Sequence, residues 1–527
     1  MKIISKKEWI WVFIYTSIIA LMLISPYLLG YLTQSQEYIF SGGILGIEDY
    51  YSYLAKTNQG AHGAWLFTLP YSSETQPGLP VYSFYLILGK IAGKEHLGQV
   101  IAFHTARLIL SYVYIPTLYI FISEYISEIK PRRLALILIT LGGGLGWVVL
   151  PLINENSLIA VPLEFYSPEA FSFLMAMTYP HLLLARSLML GGLIAFIRGK
   201  YFLCGILLFL LSSLQPLAVV VVWFVITTTL GIRFVMARKQ DWKLVFINYL
   251  PKSLIIILIS FPLVLYIGYQ FTYHPVFRQW NLQNNLVSPS PIYYGLAYGV
   301  YLLPAAYGLK NLRISNKNLW LFTIAWLIVI PILLYLPFSV QRRSIEGFQI
   351  PLGILTVIGL YSSLYKYSRW LIPLLLFLTL PSTILLWVGC HTVVMQKQEP
   401  IFRHVSQLKA FEYLDRTSKP NSIVLSSFPT GNVLPAYAPM IAFIGHNVET
   451  INIAEKKVLV NDFFSGEMTE NERRGFLMIN NIDYIIQGPN ENESGTLDLS
   501  DDIFLNEEFD KGTYKIYKWL GGNNQQP

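Results

Sequence analysis

Charged residues are scarce in this sequence. Asp, Glu, Lys and Arg make up 13% of its 527 residues, whereas about a quarter of a soluble globular protein is charged. Hydrophobic residues account for 54% of the chain, and the mean hydropathy is +0.47. This composition argues against a soluble enzyme and predicts a protein that is embedded in a membrane.

Cysteine is nearly absent too, and nucleotide-binding signatures are missing. Cys204 and Cys390 lie in apolar runs near opposite faces of the membrane in the topology predicted below, so we expect no disulfide. Neither has another metal-ligating residue at short spacing. The polar C-terminal part contains no G-x-G-x-x-G or P-loop motif. It also has no basic stripe interleaved with aromatic residues, so nucleic acid is not an expected partner.

Long apolar runs fill the first 390 residues. They are continuous rather than alternating, which predicts spanning helices and not a closed barrel. The first run lacks a small-residue cleavage site, so we interpret it as a retained helix rather than a signal peptide. A short run at 79–93 predicts an interfacial helix. About eleven transmembrane helices are predicted, near 10–32, 98–127, 134–151, 180–197, 201–214, 217–235, 246–270, 292–309, 318–337, 349–365 and 370–390.

The distribution of charge predicts the orientation. Residues 1–390 contain 26 Lys/Arg and 13 Asp/Glu, whereas the rest of the chain contains 12 and 18. With the N-terminus inside, the inner connections carry 17 Lys/Arg and the outer ones only six, as the positive-inside rule requires. The predicted location is the plasma membrane, with a cytoplasmic N-terminus. The long connections, including the loop 33–97, then lie outside, so we expect the working face there.

The C-terminal part differs in character from the rest. Short apolar or alternating runs such as SIVLSS, DYIIQG and YKIYKWL indicate strands, and amphipathic segments between them indicate helices. This alternation predicts a small soluble α/β domain. The predicted architecture is an α-helical polytopic membrane domain over 1–390, followed by an extracytoplasmic domain over 391–527.

Carboxylates in the outer loops are the first candidates for chemistry. Glu48 and Asp49 are adjacent on a glycine-bounded loop, where they could bind a divalent cation or act as a general base. The alternative is a solvated loop or a helix cap. Glu74 and Glu169 also lie in outer loops, and for both, helix capping is the competing interpretation. Glu164 is a nearby alternative to Glu169.

Cations are the second group of candidates. Arg107 and Arg186 lie inside predicted spans, roughly 9–14 Å below the outer surface, where an arginine marks either a functional site or inter-helix hydrogen bonding. Arg342 and Arg343 share an outer loop in which Glu346 is the only carboxylate, so this loop is expected to carry uncompensated positive charge. His274 and Arg278 lie in a third outer segment.

The combined pattern suits an anionic, lipid-linked substrate that enters from the outer leaflet, because arginine forks bind phosphate. Proton-coupled or ion-conducting transport would instead place carboxylates between broken helices at mid-membrane. No predicted span has Asp or Glu at its centre.

The segment GIEDYYSYLAKTNQGAHGAWLFTLPYSSETQPGLPVYSFYLILGKIAG resembles the first outer loop of the GT-C superfamily of polyprenyl-phosphate-sugar glycosyltransferases, which includes protein O-mannosyltransferases and aminoarabinose transferases. The resemblance implies that Asp49 is the catalytic acid residue, with Glu48 beside it. Glu74 matches a position that binds a metal ion in some members of the superfamily, and Glu169 lies where a second acidic residue follows the third span. A W-W-D type motif is missing, so transfer to asparagine is not expected.

The resulting prediction is an integral membrane glycosyltransferase that moves a sugar from a polyprenyl-phosphate donor to a glycan, lipid or protein acceptor among membrane lipids. Asp49, Glu48 and Glu169 are the predicted catalytic residues. A divalent metal ion is a possible cofactor, with Glu74 and His274 as ligands. The alternatives are a lipid or polysaccharide transporter or flippase, and a non-catalytic envelope protein that binds glycan. The residues predicted to bind the lipid phosphate are Arg342, Arg343, Arg278, Arg107 and Arg186.

Overall fold

A computed structural model describes residues 4–153, 160–495 and 497–521. The chain is mostly helical, with a small C-terminal sheet. It divides into two compact units, each built from three segments of the sequence. Unit 1 comprises residues 1–26, 105–268 and 285–391, and unit 2 comprises residues 27–104, 269–284 and 392–527.

Helices dominate the chain up to residue 396, and ten of the eleven predicted spans each coincide with one of them. The predicted span 134–151 is instead divided, because α5 ends at Leu141 and the next helix begins at Gly146. Within the described ranges, eight helical segments are long and apolar enough to cross a membrane, which makes this a multi-pass membrane protein. The predicted interfacial helix is the ten-residue α3. The helices are α1 (Lys6–Thr33), α2 (Ile47–Ala61), α3 (Ser83–Ala92), α4 (His96–Tyr125), α5 (Ile129–Leu141), α6 (Gly146–Val149), α7 (Leu163–Tyr166), α8 (Ser172–Thr178), α9 (Pro180–Ile197), α10 (Tyr201–Ser212), α11 (Pro216–Met236), α12 (Trp242–Tyr273), α13 (Pro275–Gln283), α14 (Pro291–Ser315), α15 (Lys317–Leu333), α16 (Gln349–Tyr361) and α17 (Ser368–Gln396).

Proline sets the start of several helices. Pro180, Pro216, Pro275 and Pro291 each occupy the first turn of a helix. At that position the missing N–H has no partner to lose and the fixed φ angle already suits a helix. Pro216 in this way separates α10 from α11, which belong to two consecutive apolar runs.

In unit 1, small residues allow two helices to pack closely. A side chain on Gly308 of α14 would collide with the backbone carbonyl of Leu355 in α16, and one on Gly359 would collide with the carbonyl of Pro304. Close backbone approach at small residues is a common packing mode for membrane helices, because it maximises van der Waals contact without a hydrophobic driving force.

Unit 2 combines the long loop after α1 with the C-terminal part. In the first loop, α2 packs on α3 through Gly60 and Gly89, where a side chain would collide with the facing backbone. The short strands β1 (Tyr38–Phe40) and β2 (Phe402–His404) pair antiparallel, so the first loop is hydrogen-bonded to the C-terminal part. The domain boundary predicted at residue 391 stays a prediction.

The C-terminal part of unit 2 is the predicted α/β fold. Its sheet has the strand order β4-β3-β5-β7-β6. β3 is parallel to both β4 and β5, while β7 is antiparallel to β5 and β6. The strands are β3 (Ile423–Leu425), β4 (Ile441–Ala442), β5 (Tyr484–Gln487), β6 (Leu505–Lys511) and β7 (Tyr514–Trp519), and the helices are α18 (Val405–Thr417), α19 (Phe428–Tyr437), α20 (Ile453–Ser465), α21 (Glu470–Ile479) and α22 (Pro489–Asn492).

Candidate functional site

The residues singled out from the sequence fall into two groups, one in each unit. Unit 2 contains Glu48, Asp49, Glu74, His274 and Arg278. Unit 1 contains Arg107, Glu169, Arg186, Arg342 and Arg343.

Glu48 and Asp49 begin helix α2. Gly46 precedes the helix in a left-handed conformation (φ 55°), which glycine adopts without strain, and both carboxylates lie in the first turn. Anionic groups are favoured there by the helix dipole. The carboxylate of Glu48 accepts hydrogen bonds from the backbone N–H and the side-chain amide of Asn447, at 2.6 and 2.8 Å. The side chain of Asp49 is 53% exposed, so of the two it is the more available to a substrate.

His446, which the sequence analysis did not single out, lies beside this carboxylate. Its Nε2 is 3.3 Å from Oδ1 of Asp49, and the side chain is almost completely buried. Its Nδ1 accepts hydrogen bonds from the backbone N–H groups of Val448 and Glu449 at 3.1 and 3.2 Å. In the neutral ring the proton therefore resides on Nε2 and is donated to Asp49.

The same ring can also be charged. Burial by itself would lower the pKa of His446, but the carboxylates of Glu449, Asp49 and Glu48 outweigh it and raise that pKa above its usual value. A second proton would be carried by Nδ1, which lies 3.5 Å from Oε1 of Glu48. That protonation would break the two hydrogen bonds that Nδ1 accepts from Val448 and Glu449, with Glu48 as the replacement partner.

A buried ion pair lies next to this arrangement. Nζ of Lys56, on α2, is 2.7 Å from Oε1 of Glu449, and the hydroxyl of Ser52 donates to the same oxygen at 2.7 Å. Both charged side chains are buried. The pKa of Glu449 is lowered because Lys56 and His446 outweigh the effect of burial. The ammonium also lies 4.4 Å from the centre of the Tyr82 ring, a cation–π contact.

The loop that carries His446 is fixed on two sides. A side chain on Gly445 would collide with the backbone of Gly431 in α19, so glycine permits the close approach. The side chain of Gln283, at the end of α13, donates to the carbonyl of Thr450 at 2.8 Å and accepts from the N–H of Asn452 at 2.8 Å. The loop therefore has a defined position relative to α13.

Two of the predicted residues lie at the start of helix α13 or within it. His274 is the residue that precedes its first turn. Arg278 lies one turn further along and is exposed. Because Gln283 connects α13 to the loop of His446, the helix that presents Arg278 is attached to the segment that contacts Asp49.

Glu74 has a different environment. Its carboxylate lies 2.8 Å from Nζ of Lys456 and accepts a short hydrogen bond from Ser72. Over the described part of the chain, no group of three or more His, Cys, Asp or Glu side chains is placed to hold a metal ion. The assignment of Glu74 and His274 as metal ligands stays a prediction.

In unit 1, two of the predicted residues are close together. Nε of Arg343 lies 3.5 Å from Oε1 of Glu169. The side chain of Arg343 remains 41% exposed, so its guanidinium is still accessible. The guanidinium of the neighbouring Arg342 lies 4.8 Å from the centre of the Tyr166 ring.

Within the described residues, the positive charge of this loop is compensated only in part: Arg343 has a carboxylate partner and Arg342 forms no ion pair. Glu346 pairs with Arg186 instead of the loop arginines, at 2.5 Å between Oε1 and Nε, and the charge of Arg343 is balanced by Glu169 from a segment 174 positions earlier in the numbering. Arg186 also donates to the backbone carbonyl of Glu169 at 2.7 Å. A local pattern could not reveal these pairings, because the partners come from distant parts of the sequence.

Two further residues have structural contacts. Arg107 is buried and donates to the backbone carbonyls of Met177, at 2.5 Å, and Leu23, at 3.3 Å, which is the inter-helix hydrogen bonding that competed with a functional role. Glu164, the alternative to Glu169, is buried and accepts a hydrogen bond from the N–H of Gly146 at 2.6 Å. Because these contacts already occupy Arg107 and Glu164, the two residues are weaker candidates for binding a substrate than Arg343 and Glu169.

Comparisons with known proteins show which fold this is. No protein-family model matches the sequence, and no curated protein matches it. Among solved structures, the archaeal oligosaccharyltransferase AglB from Archaeoglobus fulgidus, in complex with an inhibitory peptide and a dolichol-phosphate, is 13% identical; the match covers 92% of this chain and 70% of AglB, with a TM-score of 0.51. The same protein in complex with Zn and sulfate is 13% identical over 90% of this chain and 67% of AglB, with a TM-score of 0.52. ArnT from Cupriavidus metallidurans bound to undecaprenyl phosphate is 13% identical over 97% of this chain and 100% of ArnT, with a TM-score of 0.46. The match to AglB confirms the predicted GT-C fold.

Proposed function

We propose that this multi-pass protein with a GT-C fold is an inverting glycosyltransferase that uses a polyprenyl-phosphate-linked sugar. The AglB structure that shares its fold contains a dolichol-phosphate, which supports a lipid phosphate as the carrier. The acceptor is a hydroxyl group of a glycan, lipid or protein.

The observation that carries the proposal is the contact between Asp49 and His446. An exposed carboxylate is held by a buried histidine whose other nitrogen is fixed by backbone N–H groups. Glu48 has both carboxylate oxygens bound by Asn447. The geometry therefore favours Asp49 as the general base and Glu48 as a residue that holds the loop.

The proposed reaction is a single displacement. The acceptor hydroxyl loses its proton to the carboxylate of Asp49 as its oxygen attacks the anomeric carbon. The bond between that carbon and the phosphate oxygen breaks, and its electron pair leaves with the lipid phosphate. Because a phosphate is a stable leaving group, cationic groups that absorb its charge replace a strong general acid. Arg278 is the candidate for this role in unit 2.

Other elements complete the proposal. The N-terminus is cytoplasmic and the domain formed by residues 391–527 is extracytoplasmic, since the basic residues concentrate in the inner connections. Arg342, Arg343 and Glu169 are further candidates for contact with the donor.

A divalent metal ion is a further part of the proposal, supported by the structure of AglB in complex with Zn. To bind such an ion, the carboxylate of Glu74 would have to give up its ion pair with Lys456.

The test is sugar transfer by the purified full-length protein from a panel of synthetic polyprenyl-phosphate sugars. Asp49→Asn should lower turnover by about 100-fold or more, with an unchanged yield of folded protein. Asp510→Asn, which alters another exposed aspartate of unit 2, is the matched control. An active Asp49→Asn variant would refute the role of Asp49. Movement of intact donor across vesicles without any covalent transfer would instead indicate a flippase.

A further inference from the structure

Unit 1 contains a cavity of about 260 Å³ that is separate from all the residues discussed above. It is formed where several helices end: the C-terminal turns of α9 and α11, the N-terminal turns of α10 and α15, and the first half of α12. Connections 198–200, 233–243 and 310–317 adjoin these ends, and the charge distribution predicts all three to be cytoplasmic.

Two cations line this cavity. The guanidinium of Arg233 donates to the hydroxyl of Tyr249 and to the side-chain oxygen of Asn318, both at 3.0 Å. The ammonium of Lys252 lies 5.5 and 5.6 Å from the centres of the Tyr201 and Tyr249 rings. These are neutral partners, and neither cation forms an ion pair with a carboxylate of the described residues.

The carboxylate in the cavity wall is already neutralised. Oε1 of Glu124 accepts from Nε and Nη2 of Arg198 at 2.8 and 2.6 Å. Two donors of one guanidinium thus share a single carboxylate oxygen, and the charge of Glu124 is paired with Arg198, which does not line the cavity. The positive charges of Arg233 and Lys252 therefore remain uncompensated inside it.

The remaining walls are apolar. Ile226, Leu230 and Phe322 line the cavity together with the polar groups. A cavity with two cations at one side and aliphatic and aromatic side chains at the other matches an amphipathic anion. Its volume of about 260 Å³ lies just below the range of ligand pockets, roughly 300–1,000 Å³, which suits a head group rather than a whole lipid. It is well above the roughly 30 Å³ that one water molecule occupies.

We propose that this cavity binds the phosphate group of an anionic phospholipid from the cytoplasmic leaflet. Cytoplasmic leaflets are rich in anionic lipids, and basic pockets between transmembrane helices on that side bind their head groups. Arg233, held in a fixed orientation by Tyr249 and Asn318, provides the planar fork that fits phosphate oxygens. Lys252 provides a second positive charge. This proposal is independent of the transferase activity.

The experiment is a titration of the delipidated full-length protein, monitored by native mass spectrometry. Phosphatidylglycerol should bind at least tenfold more tightly than phosphatidylcholine, whose head group has no net charge. A third titration uses inorganic phosphate as a competitor. At millimolar concentration it should fail to displace phosphatidylglycerol, because it has no acyl chains to contact the apolar walls of the cavity. Displacement by inorganic phosphate would overturn the lipid assignment.

Variants make the test specific to the cavity. Arg233→Gln and Lys252→Gln should each weaken phosphatidylglycerol binding by about tenfold, as expected for loss of one charge-assisted contact. Arg238→Gln removes a basic residue from the same connection but outside the cavity, and should bind like the wild type. If Arg233→Gln fails to fold, the phosphatidylglycerol affinity of Lys252→Gln alone tests the proposal. Wild-type affinity in both cavity variants, or equal affinity for the two lipids, would overturn the proposal.

Discussion

Nε2 of His446 lies 3.3 Å from Oδ1 of Asp49, although the two residues are 397 positions apart in the sequence. One begins a helix of the first loop, and the other belongs to a loop of the C-terminal part. Both belong to unit 2. This contact gives the C-terminal part a role that its sequence did not suggest, since it positions the proposed base.

The first prediction concerns His446 as a positioning residue. His446→Ala should lower kcat by about 10- to 100-fold, because a misplaced catalytic group loses its orientation, while KM for the donor stays within about twofold of the wild-type value. His446→Gln, whose amide nitrogen can still donate to Asp49, should recover part of the loss. Steady-state kinetics of both variants test this. If His446→Ala has wild-type kcat, the contact has no catalytic role.

The second prediction concerns pH. A charged His446 ring lowers the basicity of Asp49, so wild-type activity should fall as the pH decreases through the raised pKa of His446, and His446→Gln should lack this limb. The free energy of unfolding should change with pH in the opposite direction to the activity, and decrease as the pH rises. Because the folded-state pKa of His446 lies above the usual 6.5, the stabilising contribution of the ring is present below pH 6.5 and lost as the pH rises through the folded-state pKa. Activity profiles and melting temperatures across pH 5–9 check both statements.

The third prediction concerns the buried pair of Lys56 and Glu449. Glu449→Ala leaves a buried ammonium without a counter-charge, which should cost about 3–5 kcal/mol of stability. Replacing both residues, in Lys56→Met with Glu449→Leu, should cost less than Glu449→Ala alone, because no unpaired charge remains. Thermal unfolding in detergent measures both. If the double variant loses as much stability as Glu449→Ala or more, the unpaired ammonium is not the cause of the loss.

The helices were predictable because hydropathy is a local property. An apolar run long enough to cross a bilayer has few alternatives to a helix, and ten of the eleven predicted spans each coincide with one helix of the structure. The run 134–151 is divided at Gly142–Leu145, a break that its hydropathy did not indicate. The α/β fold of the C-terminal part was predictable for a similar reason, since the alternation of strand and helix patterns is also a local property of the sequence.

The site was predictable only in part. Glu48 and Asp49 were identified because they are adjacent on one loop. His446 was missed because a single histidine in a short loop has no local pattern that distinguishes it. The one available signal was its position in GHNVET, between a glycine and a hydrogen-bonding asparagine. The partner of Arg343 was missed for the same reason, since ion pairs between distant segments depend on tertiary structure.

The fourth prediction tests the orientation. After Cys204 and Cys390 are replaced by alanine, a single cysteine in place of Lys409 should react with an impermeant thiol reagent added outside intact cells. A cysteine in place of Lys130 should react only after the membrane is opened. Labelling of position 130 together with protection of position 409 would reverse the proposed topology.

The last prediction concerns Arg343 and Glu169. The ion pair between them leaves Arg343 partly exposed, so a lipid phosphate could displace Glu169 as its partner. A charge-assisted contact of this kind contributes about 1.5–3 kcal/mol, so Arg343→Ala should weaken donor binding by roughly 10- to 100-fold. Arg343→Lys should restore only part of the affinity, because lysine lacks the fork.

Variants of the carboxylate should have the opposite effect on the same affinity. Glu169→Gln removes the competing anion, so it should bind the donor at least as tightly as the wild type if Arg343 contacts the phosphate. Native mass spectrometry with a non-transferable polyprenyl phosphate measures all three variants. Arg342→Ala distinguishes the neighbouring arginine, whose guanidinium faces the Tyr166 ring. If the double variant Arg342→Ala/Arg343→Ala binds the lipid phosphate as tightly as the wild type, neither arginine contacts it, and Arg278 becomes the cation to test next.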